Sequence, residues 1–195
     1  MEKLPSALLD LLRSRTQGDL LALLFLHPEQ EYSLTEAAGL IGASVRVVHT
    51  EADRLVASGL VHDRRRGNLR LLQADTDNFL ARPLTDLLVV TYGPLPVLTD
   101  LLRGVPGVEH AFIFGSWAAR YLGETGPIPN DIDLLIVGDI PLTELHRIAT
   151  DAEGLLHREV NPHRVRPEVW ANPPENDPFY TFLKQRPLVE IQVNP

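Results

Sequence analysis

The sequence predicts an α+β chain built from two units: a helical N-terminal unit closed by a β-hairpin, and a C-terminal mixed sheet with helices. Three observations predict it. A capped short helix, a glycine turn, a longer helix and an arginine-rich hairpin follow one another between Asp19 and Ala74. A strand-like run enters Gly115-Ser116 and a helix, and Asp131-Ile132-Asp133 opens a second strand further on. Between these, residues 76–107 carry two apolar stretches of helical length separated by Gly93-Pro94, read as linker helices that offer a homodimer contact.

At 195 residues the chain allows one or two domains. Its 44% hydrophobic and 23% charged content is that of a globular protein able to bury a core. No cysteine is present, which excludes a disulfide framework, a thiolate zinc site and a cysteine nucleophile, and suits a reducing, cytoplasmic setting. The apolar run Leu20–Leu26 is far short of the ~20 residues that a membrane span requires, and no basic stretch precedes it, so neither membrane contact nor a signal is expected. The net charge of −8 is unevenly spread, with 9 basic and 10 acidic residues in 1–75 against 9 and 16 in 76–195. From Ser33 to Ala74 six arginines face four acids, a mildly basic patch suited to an anionic partner.

Each element has a local cause. Asp19 is a candidate N-cap for the apolar helix that His27-Pro28 stops. Ser33-Leu-Thr-Glu36 is a capping box for a short helix ending at Gly42. Ser44 can cap a longer helix through Ser58, with Val45, Val48, Ala52, Leu55 and Val56 spaced to form one apolar face. The outer face then carries Arg46, His49, Thr50 and Arg54. Leu60–Asp63 and Leu69–Leu72 flank a turn with Arg64, Arg65 and Arg66 at its tip. Asp77 or Asn78 caps the next apolar stretch, which ends at Gly93-Pro94, and a helix-like run Leu95–Leu102 follows. Val108–Phe114 reads as a strand, and Ala171–Pro178 carries too many prolines for regular structure.

In the second half the chemistry concentrates at two places. Gly115 permits a close turn at the end of a strand, and a helix starting at Ser116 presents free amides and a hydroxyl to an anion. Strand alternation puts Asp131 and Asp133 on one face with apolar residues behind, where two carboxylates can share a divalent cation. Arg120 either pairs on the helix surface or reaches a phosphate. Asn130 reads as a loop cap, and His157 and His163 as ordinary half-buried strand residues.

The segment Asp19–Ala74 resembles the winged helix-turn-helix of MarR- and ArsR-type bacterial regulators. That resemblance implies double-stranded DNA as partner, with Ser44, Arg46, His49, Thr50 and Arg54 in the major groove and Arg64, Arg65 and Arg66 on the wing. A dimer would double the basic patch. Val108–Val165, on its Gly-Ser turn and Asp-x-Asp strand, resembles the nucleotidyltransferases of the DNA polymerase β superfamily, including the minimal prokaryotic forms. The implied ligands are an NTP held by Gly115, Ser116 and Arg120, and Mg²⁺ or Mn²⁺ held by Asp131 and Asp133.

The family adds a third acid on a neighbouring strand, expected here as His157–Asn161. By register that acid falls at Asn161, which cannot ionise, while Glu159 lies two residues earlier on the same face and is the candidate third catalytic and metal residue. The expectation is therefore a DNA-binding transcriptional regulator with an NTP-binding domain. The alternative is an active enzyme transferring a nucleotidyl group to a protein, RNA or small-molecule hydroxyl, in a family whose small members often pair with a toxin partner.

Overall fold

The computed structural model describes residues 12–175 and 177–193. The chain is α+β and divides into two compact units, Met1–Tyr92 and Gly93–Pro195. Among the described residues no helix is long and apolar enough to cross a membrane.

In the first unit α1 spans Arg15–Phe25, starting five residues earlier than an N-cap at Asp19 suggested. Ser14 is the cap, its hydroxyl accepting from the Gln17 amide at 3.1 Å, and Asp19 lies inside the helix in an ion pair with Arg15. The earlier start brings Gly18 against α4 (Ala81–Tyr92), where a Cβ would come within 3.1 Å of the Tyr92 ring. Glycine at that position lets the two helices approach closely.

A two-residue strand, β1 (Tyr32–Ser33), was not legible in the sequence and leads directly into α2 (Leu34–Ile41). The capping box forms in both directions: Ser33 Oγ accepts from the Glu36 amide at 3.2 Å, and Glu36 accepts from the Ser33 amide at 2.8 Å. Gly42, left-handed at φ 68, closes α2, and Ser44 caps α3 (Val45–Ala57).

The inner face of α3 is Val48, Glu51, Ala52 and Leu55. Val45 was expected on that face but is 44% exposed, because the first turn of α3 extends past the buried core. Strands β2 (Val61–Arg66) and β3 (Leu69–Ala74) form a hairpin in continuous register from Val61↔Ala74 to Arg66↔Leu69. Arg64, Arg65 and Arg66, expected at the tip of the turn, lie instead within β2, and the two-residue turn Gly67-Asn68 has a positive φ at Gly67 alone, as a type II′ turn demands. The sheet order is β1-β3-β2.

The second unit is built on a four-stranded sheet of order β6-β5-β4-β7. Its elements are α5 (Pro94–Leu102), β4 (Val108–Phe114), α6 (Gly115–Tyr121), β5 (Asp131–Gly138), α7 (Leu142–Leu156), β6 (Glu159–Val165), α8 (Pro167–Ala171), α9 (Pro178–Gln185) and β7 (Val189–Ile191). Strands β5 and β6 run parallel through the crossover helix α7, whereas β4 is antiparallel to both β5 and β7.

The segment read as linker helices is shared out: α4 packs on α1 within the first unit, and α5 packs on α7 and β7 within the second. The strand expected at His157–Asn161 begins instead at Glu159 and continues to Val165. His157 ends α7 in the left-handed region at φ 53, and Pro162 is tolerated because β6 is an edge strand.

Candidate functional site

Strand register fixes the face on which the acids stand. Phe114, Asp133 and Asn161 lie side by side across β4, β5 and β6, flanked by the pairs Asp131↔Glu159 and Leu135↔His163. Directly paired residues project from the same side of a sheet, so all of these share one face. Asp131 and Asp133 are half-buried there, while Ile132 and Leu134 are fully buried on the other face.

Two features favour glycine at position 115. Its φ of 68 is left-handed, and a Cβ there would collide with the Asp133 carboxylate and lie 3.3 Å from its Cγ. The Gly-Ser turn and the second aspartate are therefore one packed unit. Ser116 is exposed in the first turn of α6, which has no side-chain cap, so its leading amides are not used by one.

The carboxyl of Asp133 is held above its ordinary value of 3.8, first by burial and then by the charge of Asp131, with His163 and an Asn161 hydrogen bond opposing. Asn161 donates from Nδ2 to Asp131 Oδ2 at 3.0 Å. Two crowded carboxylates of this kind are relieved by a divalent cation, and Mg²⁺ accepts one or two carboxylates with water and phosphate oxygens. The donor set fits that ion.

Glu159 is exposed, in register with Asp131 rather than Asp133. Among the described residues no three His, Asp or Glu side chains are placed to hold one ion. The third position beside the acid pair is occupied by Asn161.

Arg120 donates to the Gly126 carbonyl at 3.3 Å, tying α6 to the loop before β5. Asn130 does more than cap that loop, since its side-chain oxygen accepts from the buried Arg158 at 3.3 Å. His163, expected to be half-buried, is an exposed residue of β6. Its ring stacks on Phe179 at 5.3 Å and meets Phe114 edge-on at 5.5 Å, beside the acid pair. Its alternation with Asn161 along β6 was visible in the sequence, but its aromatic neighbours, Phe114 on β4 and Phe179 on α9, were not.

In the first unit Ser44, Arg46, His49, Thr50, Arg54, Arg64, Arg65 and Arg66 are all exposed, as the sequence suggested. Their chemistry divides. Arg54 pairs with Glu51 at 2.7 Å, His49 with Asp53 at 3.1 Å, and Arg64 makes a two-pronged pair with Glu31. Among the described residues, Arg46, Arg65 and Arg66 make no ion pair. Sequence reasoning passed over Arg70, which bridges Asp53 on α3 at 2.5 Å and Asp63 on β2 at 2.6 Å, bracing helix against hairpin.

No protein-family model and no curated protein matches the chain. Among solved structures it is similar to the heme sensor protein PefR from Streptococcus agalactiae, crystallised in complex with heme, at 16% identity and a TM-score of 0.34. The match spans 47% of this chain and 60% of that one.

Proposed function

We propose that the chain is a DNA-binding regulator whose first unit is a winged helix-turn-helix and whose second unit, nucleotidyltransferase-like, binds an NTP with Mg²⁺. The observation that carries the nucleotide part is the packing of left-handed Gly115 on Asp133, with Asp131 beside it on the same face. Asp131 and Asp133 would hold the cation, which would neutralise phosphate charge. Gly115, the exposed Ser116 hydroxyl and the first amides of α6 would take the phosphates. The DNA part is supported by an exposed face of α3 and an arginine-bearing hairpin braced together by Arg70.

The amide of Asn161 cannot accept a proton from an attacking hydroxyl, which favours binding over transfer. Enzymatic nucleotidyl transfer is the second reading. It is favoured by the intact Asp131/Asp133 pair, with Glu159 available on the same face as the base.

Titration calorimetry with ATP and Mg²⁺ on the wild type and on Asp131→Asn tests the nucleotide part. Saturable binding that the variant loses is expected, and equal binding by both proteins rules the site out. Incubation with labelled ATP separates the readings: label transferred to protein, RNA or a small hydroxyl compound, and lost in Glu159→Gln, would establish the enzyme. Gel shifts on genomic fragments test the DNA part, which fails if no fragment is retarded at low salt.

A further inference from the structure

On a helix with 100° between residues, Arg46 and Thr50 project from the side opposite the buried Val48, Ala52 and Leu55, and Val45 and Val47 lie on the two flanks between, in the exposed first turn. They are 44% and 42% exposed. Two β-branched apolar residues in the first turn of a polar helix thus leave much of their methyl surface open to solvent.

The polar groups around them are already engaged within the chain. Thr50 donates its hydroxyl to the Arg46 carbonyl at 3.1 Å, so its remaining outward contribution is largely its methyl group. His49 is paired with Asp53, and Arg54 with Glu51. The leading end of α3 therefore presents three apolar methyl-bearing side chains around one cation, Arg46, rather than a row of hydrogen-bond donors and acceptors.

We infer that α3 reads thymine methyl groups in the major groove through Val45, Val47 and the Thr50 methyl. This rests on the first unit being a DNA-binding module. The C5-methyl of thymine is the apolar group that the four bases display in that groove. The cations Arg46, Arg65 and Arg66 supply the charge complementarity that brings a duplex to this surface, while carrying little sequence information toward phosphate. Sites rich in A·T pairs are accordingly preferred, with the valines setting which steps are accepted.

The test compares the full chain's affinity for alternating poly(dA-dT) and poly(dA-dU), which have the same charge density and hydrogen-bonding edges and differ by the thymine methyl. Fluorescence anisotropy at low salt should show the uracil polymer bound at least about fourfold more weakly, the factor for burying one methyl group. Val45→Thr with Val47→Thr, which exchanges methyl for hydroxyl at constant shape, should bring the ratio toward one. Thr50→Ser, which keeps the bond to Arg46 and deletes only the methyl, should do the same in part. Circular dichroism checks that these exposed substitutions leave the helices intact.

Equal affinity of the wild type for both polymers overturns the inference and leaves DNA binding standing. A thymine preference that persists unchanged in all variants also overturns it. Failure to bind either polymer at low salt removes the inference together with the DNA-binding reading.

Discussion

At the residue scale, Gly115 and Asp133 are the most informative pair. Gly115 and Gly104 share a φ of 68, but a Cβ on Gly104 meets nothing within 4 Å, whereas one on Gly115 strikes the Asp133 carboxylate. Gly104→Ala is therefore expected to cost only the left-handed penalty, about 1–2 kcal/mol. Gly115→Ala should cost more and also abolish ATP–Mg²⁺ binding, as read by urea denaturation and calorimetry. Equal costs would show that the carboxylate yields freely.

Asp133 makes a second prediction. Its raised carboxyl binds a proton more tightly in the folded than in the unfolded chain, so its contribution to stability is complete below pH 3.8 and is lost as pH rises through the folded value. At neutral pH, without divalent cation, Asp133→Asn should raise the melting temperature by a few degrees, a gain limited because water screens a half-buried group. Below pH 3.8 the difference should vanish. A lower melting temperature at neutral pH would mean that the carboxylate stabilises the apo fold.

At the scale of elements, α3 and the hairpin carry several arginines that are not equivalent. Arg54 and Arg64 are occupied by Glu51 and Glu31, while Arg46, Arg65 and Arg66 are exposed without an ion pair among the described residues. If each of the latter three meets one phosphate, their combined replacement by alanine should flatten the plot of log affinity against log salt by about 3. Arg54→Ala should leave that slope close to wild type. Equal slope changes would mean that the intramolecular pairs break on binding. Arg70→Ala, which touches no groove-facing residue, should still weaken binding by releasing the hairpin from Asp53.

At the scale of the whole molecule, each unit has its own sheet and its own buried side chains, Leu24, Leu72 and Leu88 in one and Ile113, Trp117 and Leu135 in the other. Differential scanning calorimetry should resolve two transitions. ATP with Mg²⁺ should raise only the one assigned to the second unit, by about 2.7 kcal/mol at a hundredfold excess over Kd. Trp117→Ala, which empties a fully buried site, should lower that same transition by about 3–5 kcal/mol and leave the other in place. Loss of both transitions together would mean that the units fold as one.

What the sequence determined by itself is whatever depends on neighbours along the chain. The Ser33–Glu36 box, the Gly42 stop and the alternation of Asp131 and Asp133 all follow from backbone geometry and period, and all appear where the spacing put them. Partners distant in sequence were decided only in three dimensions. Val45 has the helical spacing of a core residue, yet it is 44% exposed. Residues 76–107 look like one linker, yet each half packs into a different unit. The sequence put the third position at Asn161 with Glu159 as a substitute on the same face, but only the parallel register of β5 and β6 set Asn161 beside Asp133 and in a hydrogen bond with Asp131, with Glu159 opposite Asp131. A strand's period says which residues share a face, but only its pairing with another strand says which of them meet.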